Sequence, residues 1–116
     1  MPPQPGEIYW AFLESAARRP VVIVSRTELN RGRYVVAVPF TSQRLGERCQ
    51  LPNCVAFRSG EFGLPKNCLA QADAIAQVAT DELDLATGPV GVLDLETQRE
   101  LLKAIGYVLG ASFEPE

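Results

Sequence analysis

Arg19-Pro20-Val21-Val22-Ile23-Val24-Ser25 and Tyr34-Val35-Val36-Ala37-Val38-Pro39-Phe40-Thr41-Ser42-Gln43 are the two stretches on which the reading of this chain turns. Both are rich in β-branched residues and too short for a helix of ordinary length, so each reads as a strand buried on both faces. Each also carries polar chemistry at one end. Arg19 stands just before the first apolar run, and Thr41 and Ser42 close the second. A guanidinium and a pair of hydroxyls fixed at strand ends can grip a phosphate. The sequence therefore places its function there.

Around these runs the chain divides into short elements. Gly6 opens an apolar strand, Glu7 to Leu13, and a polar turn from Glu14 to Arg18 returns the chain into the Pro20–Ser25 strand. Trp10 and Phe12 alternate with Tyr9 and Leu13 and read mostly as core. Leu29 to Arg33 is a turn, residues 43–53 are a polar loop with Gly46 and Pro52, and Cys54 to Phe57 is a brief strand. A Gly/Pro-punctuated loop, Ser59 to Lys66, leads to Cys68–Gln71 and Ile75–Val78, which bracket an irregular strand. Thr80 to Leu83 reads as a helical turn, and Gly88-Pro89 resets the chain into Val90–Leu93. Asp94 is an N-cap candidate with Glu96 in the first turn, and Gly110 is a stop. Leu101, Leu102, Ile105, Val108 and Leu109 then mark one helical face. The expectation is a mainly β (α+β) domain, a small barrel of antiparallel strands with a C-terminal helix, over residues 6–110. Residues 1–5 read as an unstructured Pro-rich lead-in and 111–116 as a tail.

Composition removes several classes of function. The 116 residues suffice for one domain with a real core. No stretch is long enough to span a membrane, and the start lacks the pattern of a signal peptide. Three cysteines without Cys-x-x-Cys spacing argue against a disulfide framework and point to the cytoplasm. The net charge of −3 conceals an asymmetry. Residues 1–66 hold nine Lys/Arg against five Asp/Glu, a balance of +4, and residues 67–116 hold two against nine, a balance of −7. A basic half can attract a polyanion within an acidic molecule.

The chain contains no histidine, which excludes a two-histidine ribonuclease and every Ser-His or Cys-His triad. No P-loop is present. The loosely spaced thiols lack zinc-ligand spacing, and Asp81, Glu82 and Asp84 read as a solvated turn rather than a magnesium site. No metal or cofactor is expected. Arg, Thr, Ser and a few carboxylates remain, and that set can still cleave RNA, whose 2′-OH is a built-in nucleophile. The enzyme has only to stabilise charge on the phosphorane oxygens and assist proton movement.

At this point the residues resemble a family. Gly6-Glu7-Ile8-Tyr9-Trp10, the Arg19–Ser25 run and Val38-Pro39-Phe40-Thr41-Ser42-Gln43 are similar to successive blocks of the MazF/PemK toxins. Gly63-Leu64-Pro65-Lys66-Asn67-Cys68 resembles the family's Gly-Leu-Pro-Lys stretch, and Leu101 to Gly110 resembles its closing helix. The resemblance implies an SH3-like barrel and a metal-independent, sequence-selective endoribonuclease of a toxin–antitoxin pair. It implies a homodimer that cuts single-stranded RNA and is neutralised by a cognate antitoxin wrapped over the RNA groove. It also implies Arg19 and Thr41 as catalytic residues, with Ser42 and Gln43 beside them. Glu14 and Asp73 are the candidates for a base or an orienting acid. Arg18, Arg31, Arg33, Arg44 and Arg48 are candidates for a groove that binds the RNA backbone.

Two departures stand out. The loop between the first two strands shrinks to Glu14-Ser15-Ala16-Ala17-Arg18, and Ala76 stands where the family usually has Arg. They keep a catalytically silent binding protein open as an alternative. A gyrase-inhibiting toxin of the same fold is disfavoured, because the chain ends Ala111-Ser112-Phe113-Glu114-Pro115-Glu116 instead of Trp-Gly-Ile.

Overall fold

The computed structural model describes residues 2–12 and 18–111. Among them, seven strands form one antiparallel sheet: β1 (Glu7–Phe12), β2 (Arg18–Ile23), β3 (Tyr34–Thr41), β4 (Cys54–Phe57), β5 (Cys68–Gln71), β6 (Ala76–Ala79) and β7 (Gly91–Val92). Two helices accompany them, α1 (Leu45–Arg48) and α2 (Leu95–Val108). Strand order is β4-β5-β3-β2-β1-β7, with β6 also paired to β3. The curled sheet and its C-terminal helix make the expected small SH3-like barrel.

Strand alternation sorts the apolar side chains into two clusters on opposite faces. Ile8, Val22, Val38 and Phe40 join Leu64, Leu93, Leu101 and Ala104 in the cluster beneath α2. Tyr9, Ala11, Val21, Ile23, Val35 and Ala37 pack with Val78 and Leu83 in the other. That is why both opening runs are apolar at nearly every position. Each fully buried Val, Ile or Phe contributes about 1.5–3 kcal/mol.

β3 is the member that shapes the molecule. Along β2 it pairs through Ile23↔Ala37, Val22↔Val38 and Val21↔Pro39. On its other edge it pairs first with β6, from Tyr34↔Ala79 to Ala37↔Ala76, and then with β5 at Phe40↔Ala70 and Thr41↔Leu69. Pro20 and Pro39 have no N–H to donate, so the β2–β3 ladder stops where they stand. Beyond that point the two strand ends flank an opening.

Several boundaries differ from the sequence reading. The second strand begins at Arg18, because Arg18 and Arg19 pair with Phe12 and Ala11. The loop over residues 43–53 contains α1, and the irregular strand lies at Ala76–Ala79. Pro3 is buried and its carbonyl accepts a hydrogen bond from the buried Asn30 side chain at 2.9 Å, whereas Gln4 is exposed. Phe12 is half exposed instead of core. Leu102 and Leu109 also face outward, and the helix buries Leu101, Ala104 and Ile105 instead. Asp94 caps α2 as expected, its carboxylate accepting the Thr97 amide at 2.8 Å. No described helix is long and apolar enough to cross a membrane.

Candidate active site

The opening at the ends of β2 and β3 is a cleft of about 270 Å³. Arg18, Arg19 and Pro20 enter it from β2, and Phe40, Thr41, Ser42 and Gln43 from the end of β3. Trp10 of β1 forms another wall, and Pro65, Lys66 and Cys68 complete the lining where the chain enters β5. Phe40 is 2 % exposed, so it joins the cleft rigidly to the core beneath. Continuing the β2–β3 register two residues beyond Val21↔Pro39 sets Arg19 level with Thr41. The two residues singled out from the sequence are thus brought together.

Their local bonding suits an anion. Thr41 Oγ1 accepts the Gln43 backbone N–H at 3.2 Å, which fixes the side chain at the strand end. Arg19 is exposed and makes no ion pair among the described residues, where Arg18–Asp84 is the sole salt bridge. Arg18 Nη2 lies 3.2 Å from Asp84 Oδ2, and its guanidinium carbon stands 5.1 Å from the centre of the Trp10 ring. The described lining carries three cations and no carboxylate. Burial pushes the Cys68 thiol up to about 11, against the opposing pull of Lys66, so it remains an uncharged part of the wall.

The structure separates other candidates from this cleft. Arg31 and Arg33 precede Tyr34, at the opposite end of β3 from Thr41, roughly 23 Å away at 3.3 Å per residue. A single groove containing Arg19, Arg31 and Arg33 is therefore not formed within one chain. Asp73 does not orient Arg19: its carboxylate accepts from Asn53 Nδ2 at 2.7 Å and Gln71 Nε2 at 3.1 Å. Desolvation raises its pKa, but these two donors, its backbone bond and nearby Arg48 outweigh that and hold the carboxyl below its ordinary value. Arg48 donates to Gln71 Oε1 at 3.3 Å and belongs to this second cluster. Arg44 precedes α1 in a left-handed conformation and does not line the cleft. Glu14 lies outside the described residues. Ala76 pairs with Ala37 in β6 and is not part of the lining.

Trp10 and Lys66 are cleft residues that the sequence reading did not assign to the site. Lys66 was legible as the last residue of Gly63-Leu64-Pro65-Lys66, but its place beside Arg19 depends on where β5 docks. Trp10 sits in a strand whose alternating apolar pattern pointed to core. Among the described residues no three His, Cys, Asp or Glu side chains gather as a metal-ligand set.

A curled antiparallel sheet closed by one helix, with cations and hydroxyls converging on a cleft at its rim, defines a small barrel protein equipped to hold an anion. A family model described as PemK-like, MazF-like toxin of type II toxin-antitoxin system matches residues 4–109, and the chain belongs to that family of endoribonuclease toxins. It is similar to an endoribonuclease from a mycobacterial species solved in complex with its cognate antitoxin, at 28 % identity and a TM-score of 0.77, covering 97 % of this chain and 99 % of that one. Similarity to a second mycobacterial endoribonuclease is 27 %, with a TM-score of 0.76 and coverage of 98 % and 97 %. The MazE–MazF complex of Deinococcus radiodurans, at 20 % identity, a TM-score of 0.73 and coverage of 97 % and 99 %, shares the fold. No curated protein matches the chain.

Proposed function

We propose that this protein is a metal-independent, sequence-selective endoribonuclease that cuts single-stranded RNA by attack of the 2′-OH on the neighbouring phosphorus. The products are a 2′,3′-cyclic phosphate and a 5′-OH end. The observation that carries the reading is the meeting of Arg19, Thr41 and Lys66 in one cleft with no described carboxylate among them. Arg19 supplies bidentate charge-assisted bonds to the phosphorane oxygens, and Thr41 adds a hydroxyl donor. Lys66 contributes a second positive charge, and Ser42 and Gln43 contact the flanking nucleotides. The 2′-OH proton goes to a general base, for which Glu14, five residues before Arg19 in the sequence, is the candidate, while the P–O5′ bond breaks and the departing 5′ oxygen takes a proton from water.

A cognate antitoxin silences the protein by covering this cleft, in keeping with the complex in which the mycobacterial relative was solved. The working form is a homodimer. Leu95 and Leu102 on α2 and Leu109 at its C-cap recur every seven residues and are 70 %, 49 % and 71 % exposed, an apolar stripe for a second copy to cover. A single 12.7 kDa species in sedimentation at micromolar concentration would contradict this.

The deciding experiment digests a long single-stranded RNA in excess EDTA and maps the new ends. Cleavage with 5′-OH termini is expected. Loss of activity in EDTA, or 5′-phosphate termini, overturns the mechanism. RNA that is bound but never cut supports the catalytically silent alternative, which Ala76 and the short loop before Arg19 favour.

A further inference from the structure

The side chains of Trp10, Phe12 and Arg18 share one face of the β1–β2 pair. Phe12 is directly opposite Arg18 in the register and Trp10 is opposite Pro20, so the three are near neighbours. The Arg18 guanidinium carbon lies 5.1 Å from the centre of the Trp10 ring and 5.5 Å from that of Phe12. Its charge is already engaged by Asp84, which is itself held firmly. The Thr87 hydroxyl donates to Asp84 Oδ2 at 2.9 Å, the Thr87 amide donates to Oδ1 at 3.3 Å, and the Asp84 amide donates to the Trp10 carbonyl at 2.9 Å. Arg18 is thus spent on holding a planar group against an aromatic pair. Arg19 beside it has no such partner among the described residues.

We propose that Trp10, with Arg18 laid against it, is a nucleobase-stacking subsite that holds an unpaired base next to the phosphate centre. This rests on the ribonuclease reading of the cleft. Bases of single-stranded RNA are recognised by stacking on aromatic rings and on guanidinium planes, while separate cations track the backbone. The cleft offers both surfaces at once: Trp10 and Arg18 for a base, Arg19, Thr41 and Lys66 for the phosphate. A phosphate-only site would have no use for a half-buried indole in its wall or for an arginine neutralised by a pinned aspartate.

Trp10 is the only tryptophan in the chain, so its fluorescence reports on this one place. The test titrates the protein with a short randomised oligodeoxynucleotide, which lacks the 2′-OH and is not cleaved, and with an abasic strand of equal length and charge. Saturable quenching by the base-bearing strand is expected, with weaker binding and little quenching by the abasic one. Base stacking on an aromatic side chain corresponds to roughly five- to hundred-fold in affinity. Trp10→Ala should lose that factor for a labelled base-bearing strand, Trp10→Phe should retain most of it, and neither should change affinity for the abasic strand. If Trp10→Ala does not fold, the two strands compared on the native protein still decide. Equal affinity and equal emission change with both strands overturns the subsite and leaves the ribonuclease reading intact. Failure of both strands to bind, together with intact RNA after digestion, overturns both.

Discussion

The Thr41 hydroxyl oxygen accepts the backbone N–H of Gln43 across the end of β3. A hydroxyl has one proton to donate and two lone pairs. With one lone pair committed to Gln43, the group is oriented while its proton is available to an oxyanion in the cleft.

Replacing Thr41 by Val preserves shape and removes the donor. Cleavage measured under single turnover should fall about 10²–10³-fold, the usual loss for one preorganised donor. Thr41→Ser should restore most of the rate. Thermal stability should change by about 1 kcal/mol at most, the net value of one exposed hydrogen bond.

Arg19→Ala should nearly abolish cleavage with little change in melting temperature, because the side chain is exposed and supports no packing. Arg19→Lys should recover only a small part of the rate, since an ammonium cannot bridge two phosphorane oxygens in a plane. Full activity in Arg19→Ala would remove Arg19 from the site.

In the proposed mechanism Lys66, which lines the cleft, meets the backbone charge of RNA. Lys66→Ala should weaken binding of single-stranded RNA and reduce the slope of log K against log salt by about 0.7, the value for one phosphate contact on a single strand. Arg31→Ala and Arg33→Ala, at the far end of β3, should leave that slope unchanged.

Bonded to Asn53 and Gln71, Asp73 is expected to serve stability rather than catalysis. The folded protein holds its carboxyl below its ordinary value, desolvation being outweighed by the Asn53 and Gln71 donors. As pH falls, the unfolded chain therefore takes up the proton first. The contribution is complete above the unfolded carboxyl value, about 3.9, and disappears as pH drops through the lower folded one. Asp73→Asn should flatten that acid-range part of the stability curve, followed by denaturant titration at several pH values, and leave RNA cleavage at neutral pH unaltered. A large loss of cleavage would return Asp73 to the active site.

Gly91 lies where two backbones meet. A Cβ built there collides with the Phe62 carbonyl, on a turn whose Phe62 φ is already +50°. Gly91→Ala should destabilise the fold by about 1–3 kcal/mol, read as a lowered melting temperature.

The local elements were legible because their causes are local. Runs of Val and Ile favour pleated backbone, and Asp94 three residues before Thr97 satisfies a free amide at a helix start. The outward face of α2 was not legible. Leu101 and Leu102 are the same residue type, and only the position of the sheet beneath determines which one it covers. The same holds for Trp10: its strand pattern says apolar, but its exposure depends on where β2 and β3 separate.

The sequence by itself determined the strands, the closing helix, the absence of histidine chemistry and the placing of Arg19 and Thr41 at strand ends. Tertiary structure decided which charges meet. β3 changes partner from β6 to β5 along one edge, while prolines end its ladder with β2 on the other, and the cleft opens at that divergence. Arg19, Thr41 and Lys66 gather there, Arg31 and Arg33 are carried to the far end of the same strand, and Asp73 turns to Asn53 and Gln71. Backbone propensity acts over a few residues. The meeting of side chains tens of positions apart depends on strand register, which burial of the whole sheet selects.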